Sequence, residues 1–115
     1  MDSDAFSEWL ASLSVIERVR ALALIYSSLT ICTRELFLPD RLKGKEQVGL
    51  DMLHGLNEIH HTLANWLVAY TTYERKAFPV HSLSQQLLEI ANQYRIGGLL
   101  TSAVEFARTR NPSVA

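Results

Sequence analysis

The stretch GLNEIHHTLANW, residues 55–66, sets His60 beside His61, with Glu58 three positions before the second histidine and Asn57 and Asn65 on either side. His54 lies one helical turn before Glu58. On a helix, positions at i, i+4 and i+7 rise over one another on adjacent turns. His54, Glu58 and His61 could therefore close on one divalent ion, since imidazole and carboxylate are ordinary zinc or nickel ligands. At about 100° per residue, His60 falls on the other side, among Leu53, Leu56, Leu63 and Leu67. A histidine there is expected to be neutral and hydrogen-bonded, with a pKa lowered by burial.

Glu58-x-x-His61 is similar to the ligand element of ferritin-like di-iron proteins. That family uses two such elements facing the bundle interior, with lone glutamates from two further helices. This chain has one copy, on an outward face, so the di-iron site is not carried over. A solvated polar face is the expectation for His54, Glu58 and His61, with no metal and no cofactor. Arg75-x5-His81 has the spacing of the Arg-x4-6-His element of HEPN ribonucleases, which are also small helical bundles. The resemblance implies attack by a ribose 2′-hydroxyl, with His81 moving the proton and Arg75 holding phosphate charge. Pro79 stands between the two and puts them across a loop, whereas the family's motif sits on a helix. No family's motifs are carried whole by this sequence. A metal protein built on His54, Glu58 and His61, or a HEPN-like ribonuclease built on Arg75 and His81, is the alternative to a non-catalytic protein.

The remaining chemistry is sparse. Cys32, a single cysteine, excludes an internal disulfide and reads as a small core hydrophobe in a reducing compartment. Arg41, Lys43 and Lys45, with Arg75 and Lys76, make a small basic patch that Asp40 and Glu46 dilute. Eleven basic and 12 acidic residues give a net charge of −1, and no nucleic-acid partner is expected. The acidic start MDSDAFSEWL is unlike a secretory signal. The charge-free residues 21–33 are too few to span a bilayer. A cytoplasmic protein without membrane association is the expectation.

The elements that position these residues are helical. Phe6, Trp9, Leu10 and Leu13 share one face of a first short helix that Ser3 can cap. Ser14-x-x-Glu17 is a capping box opening a second helix to about Phe37, with an inward stripe of Val15, Val19, Leu22, Tyr26, Leu29, Thr33 and Leu36. Pro39 ends it. A third helix covers residues 46–74, its first turns weakened by Gly49 and Gly55. Ser82-x-x-Gln85 reads as the box that starts a fourth. Gly97-Gly98 separates it from a last helix closed by Pro112. The spacing predicts one all-α domain over residues 1–115. It is an antiparallel bundle of four to five helices, three substantial and two short, with a disordered tail at about 111–115.

The second helix carries one further signal. Leu24 and Ile31 stand one heptad apart, nearly opposite its main stripe, with Ser27 and Ser28 between them. A helix apolar on two sides is either enclosed by its own domain or covered by another chain. A chain of 115 residues encloses little. The expectation is therefore a non-catalytic interaction protein acting as adaptor, inhibitor or immunity-type binder. Leu24, Ser27, Ser28 and Ile31 would contact a second copy in a homodimer, or a helical partner.

Overall fold

A computed structural model describes residues 3–36, 43–72 and 80–110 of the chain. They form five helices and no strand: α1 (Ser3–Ser12), α2 (Val15–Leu36), α3 (Glu46–Thr72), α4 (Val80–Gln93) and α5 (Gly97–Arg110). The all-α bundle expected from the spacing is the fold. Pro39, Arg41, Arg75, Lys76, Pro79, Pro112 and the expected disordered tail lie outside the described residues.

Local chemistry sets most of the boundaries. The Ser14 amide donates to Glu17 Oε1 at 2.9 Å, and the Glu17 amide donates to Ser14 Oγ at 3.2 Å. This is the reciprocal capping box that opens α2. The Ser14 amide, followed by its hydroxyl, holds the Glu17 carboxyl below the usual carboxylate range. Gly44, at φ +80°, turns the chain into α3. The Gly44 amide also donates to Glu46 Oε1 at 3.1 Å.

The α4–α5 junction differs from the sequence expectation. Arg95 takes the left-handed conformation (φ 58°), and the glycines do not. The Ile96 amide donates to the Ala91 carbonyl at 2.9 Å, and the Arg95 amide to that of Asn92 at 3.4 Å. These two bonds form a Schellman cap. Ile96 is buried behind it, and Gly97 and Gly98 fall in the first turn of α5. The start of α4 also differs: the helix begins at Val80, so Ser82 lies inside it rather than at its cap.

The core draws on every helix, including Phe6 and Leu10 of α1, Leu22, Ile25 and Leu29 of α2, and Leu56, Ile59 and Leu63 of α3. Leu83 and Leu87 of α4 and Leu100 and Val104 of α5 complete it. α2 packs against both α3 and α5, while α4 packs against α3 and α1. Two side-chain bonds show that α3 and α4 run antiparallel. Trp66 Nε1 donates to Gln86 at 3.0 Å, and the Tyr94 hydroxyl donates to Glu58 at 2.7 Å.

Gly55 has a different role from the one its helix propensity suggests. It is buried, and a Cβ there would lie 2.5 Å from Tyr94 Cβ and 2.8 Å from Ile96 Cδ1. The missing side chain lets the end of α4 approach α3, a gain that outweighs a propensity cost of about 1 kcal/mol.

Candidate functional site

His54, Glu58 and His61 are all exposed on α3. Among the described residues, no group of three or more His, Cys, Asp or Glu is arranged to hold a metal ion. The Glu58 carboxylate instead accepts the Tyr94 hydroxyl, and that bond raises the pKa of the phenol. Glu58 thus ties α3 to the end of α4.

His60 turns toward α2. Its ring lies 4.7 Å from that of Tyr26, and its Nε2 is 3.5 Å from Thr30 Oγ1. The ring is half-buried. Burial lowers its pKa, the neighbouring His61 adds to the effect, and the Tyr26 carbonyl offsets part of it. Such a histidine bridges α3 and α2. His81 is exposed in the first turn of α4, with Nδ1 3.4 Å from Ser7 Oγ of α1. Its sequence partner Arg75 lies outside the described residues. Cys32 is half-buried, and burial, followed by the charge of Glu35, pushes its thiol pKa up. That is the direction of an unreactive cysteine.

A groove of about 540 Å³ opens between the start of α3 and the end of α4, lined by Val48, Asp51, Met52, Gln93, Tyr94 and Arg95. It was not legible in the sequence, because it exists only where α4 ends against α3. Among its described lining residues the one carboxylate, Asp51, already accepts Gln47 Nε2 at 3.1 Å. Those described residues include no pairing of a nucleophile with a base.

The exposed apolar side chains are more informative. Ile31 is 55% exposed in the middle of α2. Leu24, one heptad earlier, is half-buried and packs against the core. The structure therefore separates the two leucine-type positions: Leu24 belongs partly to the core, and Ile31 stands outside it. Ser27 is exposed and Ser28 half-buried. Ala23, Ser27 and Ile31 form an exposed line without charge between Arg20 and the Arg34–Glu35 pair. Arg20, Ala23 and Glu35 were not singled out in the sequence, although their spacing placed them on this face.

The chain matches no protein-family model, no curated protein and no solved structure. Among the described residues, no helix is long and apolar enough to cross a membrane.

Proposed function

We propose that this is a non-catalytic helical protein that associates with a second copy of itself through the outer face of α2, in an adaptor, inhibitor or immunity-type role. The observation that carries the reading is Ile31, 55% exposed at mid-helix on a face uncharged for more than three turns. Ser27 and Ser28 beside it allow close helix approach, and Leu24 lends a partly exposed edge. Covering the exposed part of Ile31 is worth a little over half of the roughly 1.5–3 kcal/mol for burying an isoleucine completely, and two-fold pairing covers one from each chain. A reducing, cytoplasmic setting suits the lone thiol of Cys32.

Sedimentation equilibrium tests the reading. The wild-type chain is expected to show a concentration-dependent dimer, and Ile31→Glu a folded monomer. A wild type that stays monomeric up to about 1 mM, where only association weaker than about 4 kcal/mol escapes detection, would falsify it.

A further inference from the structure

We infer that the two copies of α2 cross antiparallel, with the two-fold axis between Ser27 and Ser28. This rests on the proposed self-association and adds its orientation and register. The face is self-complementary in only one direction. About an axis at that point, positions equidistant from it meet. Ser27 then lies against the partner's Ser28, Leu24 against the partner's Ile31, and Arg20 against the partner's Glu35. Each copy contributes each pairing once, so the whole set occurs twice.

The residues suit these positions. Arg20, Leu24, Ser27, Ser28, Ile31 and Glu35 recur at intervals of three and four, and so share one side of the helix. Arg20, Ser27, Ile31 and Glu35 are exposed, and Leu24 and Ser28 half-buried. The smallest side chains lie at the crossing point, where two backbones come nearest. The larger aliphatic ones lie a turn away, where the gap widens. The charges lie at the rim, Arg20 and Glu35 about 11 Å from the axis on either side at 1.5 Å per residue, with the exposed Arg34 beside Glu35 and to one side of the line of contact. Neither Arg20 nor Glu35 is in an ion pair with another described residue, although the Arg20 charge helps lower the pKa of Glu17, and both side chains are exposed. A parallel pairing gives the opposite pattern. It sets Arg20 against the partner's Arg20 and Glu35 against the partner's Glu35, and like charges across an interface disfavour it.

A charge-reversal cycle tests orientation apart from self-association. At low salt, Arg20→Glu alone and Glu35→Arg alone are each expected to raise the dimer dissociation constant by about tenfold, because each turns two attractive rim contacts into two repulsive ones. The double variant R20E/E35R should return to within about threefold of wild type. All these positions are exposed, and circular dichroism should show the fold unchanged. If Ile31→Glu dissociates the wild-type dimer but the double variant does no better than the single ones, the face stands and the antiparallel register is overturned. If the wild type does not associate, or Ile31→Glu leaves association intact, the underlying reading fails with it.

Discussion

The two long helices present outer faces that differ in how their charged and polar residues are distributed. On α3 the exposed positions are mostly polar, His54, Asn57, Glu58, His61 and Asn65, with Leu50 (50% exposed) and Val68 (62% exposed) flanking them. On α2 they include Ala23, Ser27 and Ile31, with charges held to the ends at Arg20, Arg34 and Glu35. The α3 face has the residue types of a chemical site but not the geometry, since Glu58 is engaged by Tyr94. The α2 face has little chemistry but leaves apolar surface uncovered. Exposed aliphatic side chains occur on both helices; on α2, Ile31 stands in a stretch with no charged residue between Arg20 and Arg34.

The largest expected effect tests that contrast directly. Ile31→Glu should weaken self-association at least about tenfold, because each of two chains loses a little over half of the roughly 1.5–3 kcal/mol of full burial and gains a charge to desolvate. His54→Ala with His61→Ala should leave association and thermal stability unchanged. Loss of association in the histidine variant would reverse the assignment of the two faces.

Next come the inner sides of the same helices. Gly55→Ala should destabilise the fold by ~1–3 kcal/mol in urea denaturation. The clash with Tyr94 Cβ exceeds the propensity gain of about 1 kcal/mol. A stabilised variant would mean that α4 does not sit that close. Leu24→Glu should lower stability as well as association, whereas Ile31→Glu should cost the isolated chain no more than ~0.5 kcal/mol.

His60 links the two helices and gives a pH signature. Its pKa is lowered from 6.5 in the folded chain, so the unfolded chain takes up the proton first as pH falls. The stability it contributes is complete above pH 6.5 and declines below it, down through the folded pKa. His60→Gln should therefore show a shallower loss of stability than wild type between neutral and acidic pH. Equal slopes would show that the ring titrates as if exposed.

The smallest effect concerns Arg95. Replacing it with glycine relieves a left-handed conformation that costs an L-residue roughly 1–2 kcal/mol. It also adds unfolded-state entropy worth about 0.4–1 kcal/mol. A net stabilisation below about 1 kcal/mol is expected from thermal melts. A clear loss would mean that the guanidinium contributes contacts of its own.

What the sequence showed and what it hid divide along local and non-local physics. The α2 capping box depends on Ser14 and Glu17 alone and was legible. The left-handed residue at the α4–α5 junction was not. Gly97-Gly98 is the stronger local signal, but burial of Ile96 fixes the cap one step earlier, at Arg95. The phase of α2 was also hidden. The stripe expected through Val15, Val19, Leu22, Tyr26 and Leu29 is rotated toward Ala21, Leu22, Ile25 and Leu29, the residues that are buried. A shift of roughly 60° on a wheel of about 100° per residue follows from packing against α5 as well as α3. That rotation draws Leu24 toward the core and leaves Ile31 outside. The orientation of His60 away from His61 was legible because helical spacing alone decides it.

The central claim is that the outer face of α2 meets a second copy. An isotope-filtered NMR experiment on a mixture of labelled and unlabelled chains reads it most directly. Intermolecular contacts are expected from the Ile31 methyls to protons of the partner's Leu24 and the partner's Ser28. An Ile31 side chain with no intermolecular contacts at about 1 mM, where even millimolar association is populated, would contradict the account. So would contacts arising instead from the His54 and His61 face of α3.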